Sequence, residues 1–324
     1  MTVSILIAVK AWGKTLGQCV ARCQELAFPN FEILILPDLP VTRKFYDERI
    51  KIIPTGAVSP ARKRDMALNF ATGGIIAFID DDAYPVKDWL KYAVENFQDE
   101  DVAAVGGPAI TPLEDTLLQK ASGMVYSSFL VSGNFTYRYL PLKRREIDDY
   151  PSCNLLVRKS IFQELGGFKT NFWPGEDTKL CLDITKKLGK KIIYDPKVLV
   201  YHHRRALFLP HLRQVASYAL HRGYFVKKYP QTSLKISYFI PSLFVIGLIA
   251  GMMLSFISSP LQAPYHFIMR FYLCSVLFFS INKDFRFILP VFAGIILTHI
   301  TYGSFFLQGL VSKRLKEELK EPAV

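Results

Sequence analysis

The chain has 324 residues, 50% of them hydrophobic and 14% aromatic, which supplies one large core or two modest ones and excludes a disordered polymer. Its 40 Lys+Arg against 28 Asp+Glu give a net charge of +12. Most of that excess lies after residue 200, beside long apolar stretches and without a recognisable nucleic-acid module, so the pattern points to a membrane surface and away from nucleic acid.

Met1 leads into the strand-like run TVSILIAV, with no basic leader or small-residue cleavage site, so the N-terminal domain is expected to stay in the cytoplasm. Five scattered cysteines (Cys19, Cys23, Cys153, Cys181 and Cys274) argue against a disulfide framework and fit buried thiols in a reducing compartment. Apolar, β-rich runs at 3–9, 32–36 and 50–53 alternate with a helical pattern at 16–25, which predicts a mostly parallel sheet flanked by helices. Ser59-Pro60 opens the next helix, a cap residue followed by Pro at the first helical position, and apolar spacing carries it to Gly73-Gly74. A strand at 75–79 ends in Asp80-Asp81-Asp82. A helix at 88–97, a strand at 102–105, a less regular stretch at 111–150, a helix reaching Leu188 and strands at 191–194 and 198–201 complete the domain.

Residues 206–234 mix Leu, Phe and Tyr with Arg, His and Lys, as an interfacial amphipathic segment does; an ordinary packing helix is the alternative. Arg204, Arg205, Arg213, Arg222, Lys227, Lys228 and Lys235 precede the apolar run 236–257, which is long enough to cross a hydrocarbon core needing about 20 residues. The run 285–311 is longer still. Residues 265–281 contain Arg270 and are marginal, so two or three transmembrane helices are expected, with three favoured. The expected organisation is a domain at 1–205, the interfacial segment at 206–234, a membrane region at 235–312 and a charged tail at 313–324.

Three successive carboxylates at a strand end repel one another unless solvent or a cation relieves them. The carboxyl ends of strands in an open α/β sheet form the ligand crevice, so Asp80, Asp81 and Asp82 stand where a substrate should be. Oxygen ligands of this kind suit Mg²⁺ or Mn²⁺, which also bind substrate phosphates. A solvated acidic turn explains a lone DDD equally well. The second carboxylate pair, Glu176-Asp177, opens a helix, where acidic residues are favoured in any case. Together the two clusters offer a metal-held leaving group opposite a carboxylate able to deprotonate an acceptor hydroxyl. Asp38, ending the second strand, and Arg62, early in the following helix, are placed to reach a nucleotide. Gly13-Lys14-Thr15 lacks the upstream glycine of a phosphate loop, and no G-x-G-x-x-G follows the first strand.

The order VSILIAVK, Asp38, SPARKRDMALNFATGGIIAFIDDDAYP, SCNLLVRKSIFQELGGF with Asn154, PGED and DPKVLVYHH resembles glycosyltransferase family 2, the inverting enzymes of the GT-A fold, over roughly the first two hundred residues. The resemblance implies an α/β GT-A (nucleotide-diphospho-sugar transferase) fold, here followed by C-terminal transmembrane helices. It implies donor contacts at Val9, Asp38, Arg62, Asp80 and Asp81, a metal at Asp82 with Asp80 and His202, and a catalytic base at Asp177 with Glu176 beside it. The expected partners are a UDP-linked sugar donor, a lipid-linked or glycan acceptor and the cell membrane, with the catalytic domain cytoplasmic. A polyprenyl-phosphate sugar transferase and a non-catalytic scaffold with the same fold are the rivals. Two departures from the family pattern, Pro37-Asp38 in place of paired carboxylates and Asp183 in place of a basic residue, bear on the donor's identity.

Overall fold

A computed structural model describes residues 1–42 and 45–319. Two compact units make up the chain. The first comprises Met1–Ile110, Tyr137–His203 and the short 3₁₀ turn Lys316–Leu319; the second comprises Thr111–Thr136 and Arg204–Leu315. Positions 320–324 of the expected charged tail lie outside the described residues.

The elements of the first unit are β1 (Val3–Ala8), α1 (Lys14–Gln24), β2 (Phe31–Leu36), β3 (Ile50–Ile52), α2 (Pro60–Ala67), β4 (Ile75–Asp80), β5 (Ala83–Pro85), α3 (Trp89–Asn96), β6 (Val102–Gly106) and β7 (Ala109–Ile110). After an excursion into the second unit through α4 (Leu117–Ser127) and α5 (Phe129–Ser132), the chain returns as β8 (Arg145–Ile147) and β9 (Asn154–Arg158). It continues through α6 (Lys159–Glu164), α7 (Glu176–Leu182), β10 (Lys191–Tyr194) and β11 (Val200–His202). The larger sheet has the order β3-β2-β1-β4-β9-β6-β10-β8, parallel except where β9 inserts and where β8 closes the edge; β5, β11 and β7 form a small second sheet.

The apolar β1 and β2 are buried on both faces, as strands covered by helices on either side must be. Leu16, Cys19, Val20 and Cys23 of α1 recur at helical spacing and share one core with Ile5, Ile7 and Trp89. Along β4, Ala77 and Ile79 face that core. Phe78 points the other way, into rings from Phe162 and Phe168 at 5.3 and 5.1 Å. By the same alternation Asp80 leaves the strand on the Phe78 side.

The helix expected to run to Gly73 stops at Ala67, because the chain must turn to deliver two backbone donors. Thr72 donates its N–H to Glu32 Oε1 at 2.6 Å, and Gly73 donates to Ser4 Oγ at 2.8 Å. Ser4 and Lys51 also donate to Glu32, so one buried carboxylate ties β1, β2, β3 and the approach to β4 together. Burial alone raises the Glu32 pKa, but the bonds from Lys51, Ser4 and Thr72 outweigh it and bring it down to about 2. A depressed carboxylate contributes stability above its unfolded value that is lost as pH falls through its folded one. Glu32→Gln is therefore expected to cost about 2 kcal/mol at pH 7, after allowance for screening on the Lys51 side, and to flatten the loss of stability between about pH 4.5 and 2. Trp12, Trp89 and Trp173 all lie in this unit, so tryptophan fluorescence during denaturant unfolding reads the effect directly.

The second unit holds α4 and α5 with α8 (Leu209–Lys228), α9 (Pro230–Ser233), α10 (Ile236–Ile257), α11 (Ser259–Ser280) and α12 (Ile288–Val311). The stretch expected to be irregular thus contains helices, and the first begins with a capping box between Thr116 and Gln119. Domain limits at 1–205 and 206–234 differ from this division, since residues 111–136 join the C-terminal helices. Ala121 and Val125 of α4 pack with Leu207, Val291 and Ile295. His211 is fully buried between Ser122 Oγ (2.8 Å) and Thr298 Oγ1 (2.9 Å). Burial, with Arg204, lowers its pKa to about 4, leaving a neutral ring that fastens α4 to α8 and α12.

Helix α8 packs closely on α12: a Cβ at Gly309 would lie 2.0 Å from Leu220 O. Leu209, Arg213, Tyr218, Lys227 and Lys228 of α8 are nevertheless exposed, so the helix packs on one side and leaves apolar and basic side chains uncovered on the other. Among the described residues two helices are long and apolar enough to cross a membrane, Ile236–Ile257 and Phe285–Glu318, and the first exposes most of its apolar side chains. Helix α11 matches α10 in length but carries Pro264, His266 and Arg270 and falls below that level of apolarity.

Candidate active site

The register of the small sheet explains why two distant sequence positions meet. β11 pairs antiparallel with β5, His202 opposite Ala83, and His203 donates its N–H to Asp82 O at 2.9 Å. The His202 ring consequently stands beside the acidic strand end, with Nε2 3.1 Å from Asp82 Oδ1. Asp80, Asp82 and His202 each present a ligand atom, all within 4.8 Å of one another, and all three side chains are half-buried. Two carboxylates and an imidazole converging in this way fit a divalent cation such as Mg²⁺ or Mn²⁺. Asp81 lies between the two aspartates in the turn, also half-buried.

Asp38 sits beyond the carboxyl end of β2, at a cavity of about 500 Å³ lined by Lys10, Trp12, Leu39, Pro40 and Thr42 among others. Its partner is Lys63, which sequence reasoning missed. The Lys63 side chain is 3% exposed and its ammonium donates to Asp38 Oδ1 (2.5 Å), Val9 O (2.9 Å), Thr55 Oγ1 (3.0 Å) and Leu36 O (3.1 Å). A buried ammonium is tolerated only when its donors are satisfied, and these acceptors fix the ends of β1 and β2 around one point. Val9 itself is buried in the core with its carbonyl committed to Lys63, so the cavity lining starts one residue later, at Lys10. Arg62 is half-buried, and its backbone N–H caps onto Ser59 Oγ.

The residue after Lys63, Arg64, reaches the other carboxylates. It is 2% exposed and donates to Asp80 Oδ1 at 2.8 Å and to Ser152 Oγ at 2.8 Å, while Glu176 Oε1 lies 3.6 Å away. Gly175, in the left-handed region at φ 119°, turns the chain into α7 and donates its N–H to Glu176 Oε2. Burial, and then the neighbouring Asp177 charge, raise the Glu176 carboxyl to about 8 against the pull of Arg64. Asp177 is half-buried and accepts from the N–H groups of Ser152 (3.2 Å) and Thr178 (2.8 Å). Asp183 pairs instead with Lys179, one helical turn earlier.

Buried support comes from Asn154. Its side-chain amide donates to Gly107 O and Val198 O and accepts from Trp89 Nε1 at 2.9 Å, locking β9 to the segment that delivers His202. Gly107 is required there, since a Cβ would lie 1.7 Å from Val198 O. The structure therefore gathers Asp80, Asp82 and His202 into one cluster and joins Asp80 to Glu176 through Arg64. The signal for a buried Arg64 was present in the sequence: Ala61, Arg64 and Ala67 share a helix face, and the two alanines mark it as the packed one.

Comparisons with known proteins give the family and the fold. Residues 4–166 match the family described as Glycosyl transferase family 2. The chain is 31% identical over 146 residues to the pre-mycofactocin glycosyltransferase of Mycobacterium tuberculosis, covering 45% of this chain and 30% of that protein, so it spans under a third of that relative's length. It is 25% identical over 244 residues to the dolichyl N-acetyl-alpha-D-glucosaminyl phosphate 3-beta-D-2,3-diacetamido-2,3-dideoxy-beta-D-glucuronosyltransferase of Methanococcus voltae, covering 70% of this chain and 74% of that protein. Among solved structures it is similar to the mannosyltransferase PcManGT from Pyrobaculum calidifontis in complex with GDP-Man and Mn²⁺, at a TM-score of 0.60 and 16% identity over 96% of this chain and 88% of that one, which shows a shared GT-A-like fold. With half of its length matched by the family and the fold in agreement, the chain belongs to glycosyl transferase family 2.

Proposed function

We propose that the chain is an inverting glycosyltransferase that moves a sugar from a nucleotide-diphospho-sugar, UDP-linked by expectation, to an acceptor presented on a membrane lipid. The observation that carries this reading is the meeting of Asp80, Asp82 and His202 at the strand ends, with Glu176 and Asp177 tied to the same point through Arg64. Asp38, fixed by Lys63 at the cavity, accepts from the nucleobase or ribose, and Arg62 and Asp81 complete the donor contacts. Asp80, Asp82 and His202 would hold Mn²⁺ or Mg²⁺, which when bound neutralises charge on the departing diphosphate.

Asp177 takes the acceptor's hydroxyl proton as that oxygen bonds to the anomeric carbon. The bond from that carbon to the diphosphate oxygen breaks, and its electron pair leaves with the nucleoside diphosphate. A single displacement from the opposite face inverts the configuration.

The lipid-borne acceptor is supported by the two apolar helices and by the Methanococcus voltae relative, whose name specifies a dolichyl phosphate-linked sugar. Basic residues ahead of α10 favour a cytoplasmic catalytic unit. Detergent-purified protein is expected to transfer to a polyprenyl-phosphate-linked sugar with kcat/KM about 100-fold above that for the same sugar free in solution. Equal transfer to both would remove the lipid acceptor from this reading. Sugar delivered to bare polyprenyl phosphate, in a product labile to mild acid, would make the phosphate the acceptor instead.

A further inference from the structure

Arg64 is packed against both Phe78 and Phe168, its guanidinium carbon 5.5 and 5.8 Å from the two ring centres. A guanidinium has five N–H donors in a rigid plane, and a buried one normally satisfies them. Here one amino group is on Asp80 and the other on Ser152, Glu176 is just beyond hydrogen-bond reach at 3.6 Å, and Nε is buried without a partner among the described residues. Ser152 in turn donates its backbone N–H to Asp177 Oδ2 at 3.2 Å. One side chain therefore touches the acidic strand end and, directly or through one residue, both carboxylates of α7.

Asp80 also belongs to the group that fits a divalent cation, so cation and guanidinium draw on the same carboxylate. We propose that Arg64 is a positioning residue that transmits occupancy of the donor side to the acceptor side, an inference that rests on the glycosyl-transfer reading. As Asp80 engages a cation and diphosphate, the guanidinium closes on Glu176 and, through Ser152, sets Asp177 for the acceptor. The under-satisfied donors and the long approach to Glu176 leave the guanidinium a second arrangement to adopt. The planar fork is needed, because an ammonium of similar charge cannot span Asp80, Ser152 and Glu176 at once.

Hydrogen exchange at the peptide covering residues 173–179 tests the coupling, with Mn²⁺ plus UDP, and then Mn²⁺ plus GDP, as probes on the full chain in detergent. In the wild type, nucleotide binding is expected to slow exchange there by about fivefold or more. Arg64→Lys is expected to bind the same probe within about threefold of wild type yet lose that slowing. Ser152→Ala, which leaves the Asp80 contact in place, is expected to lose it as well and carries the test if Arg64→Lys does not fold. A purely structural role would speed exchange in free and bound protein alike and leave the ligand-induced difference standing. Wild-type slowing retained in both variants, or binding without slowing in the wild type, overturns the proposal. A wild type that binds neither probe overturns the glycosyl-transfer reading beneath it.

Discussion

Asp177→Asn is expected to lower sugar transfer by about 100- to 10,000-fold, or roughly 3–5 kcal/mol of transition-state stabilisation, with little change in fold or nucleotide affinity. The substitution is nearly isosteric, and its amide oxygen still accepts one of the two backbone donors, Ser152 N–H or Thr178 N–H. The other donor then faces an amide NH₂, a loss of about 1 kcal/mol that a folded domain tolerates. What disappears is the basic oxygen. Calorimetric titration with Mn²⁺ and nucleoside diphosphate should give affinity within about threefold of wild type, so the loss should fall on kcat. Transfer within about tenfold of wild type would move the base to another group, and Glu176→Gln would then be the variant to measure.

Asp82→Ala is expected to weaken Mn²⁺ binding and to reduce transfer by about 100-fold or more. The small sheet should survive, because the Asp82 contribution to it is a backbone carbonyl accepting from His203 N–H, which alanine keeps. His202 loses its neighbour at 3.1 Å but remains held by the β5–β11 pairing. His202→Gln should be milder, about tenfold, since two carboxylates remain. Electron paramagnetic resonance of bound Mn²⁺ separates the two cases, with the free-ion signal persisting in Asp82→Ala and suppressed only at higher protein concentration in His202→Gln. Wild-type Mn²⁺ affinity in Asp82→Ala would remove this residue from the cation site.

Much of the first unit was legible because local patterns coincide with long-range ones. Runs such as FEILIL and IIAFID make buried strands in a sheet covered on both faces, and their carboxyl ends place Asp38 and Asp80 without further information. The pairing of His202 with Asp82 followed from the family resemblance and is explained by the β5–β11 register, which no local pattern encodes. Lys63 and Arg64 were overlooked because the charge of a Lys-Arg pair within PARKRDMA outweighed the packed-face signal of Ala61 and Ala67. Only tertiary acceptors, Asp38 in one case and Asp80 in the other, make such burial tolerable.

Residues 111–136 were the least legible. The Thr116 to Gln119 spacing is a helix-start signature that can be read locally, but the packing of Ala121 and Val125 on Val291 and Ile295 is set far along the chain. The early end of α2 has the same origin, since Glu32, on a strand well before it, claims the Thr72 N–H. At that point the chain departs from its local pattern because a buried polar group elsewhere needs the donor.

The most direct measurement is nucleotide release from a panel of nucleotide-diphospho-sugars by the detergent-purified chain with membrane lipid extract, in Mn²⁺ and in EDTA. Release is expected from one donor, UDP-linked, and it should require both the lipid fraction and the metal and be lost in Asp177→Asn. Release unaffected by EDTA would contradict a metal-assisted transfer, and no release from any donor with lipid present would favour a scaffold that keeps the fold without the chemistry.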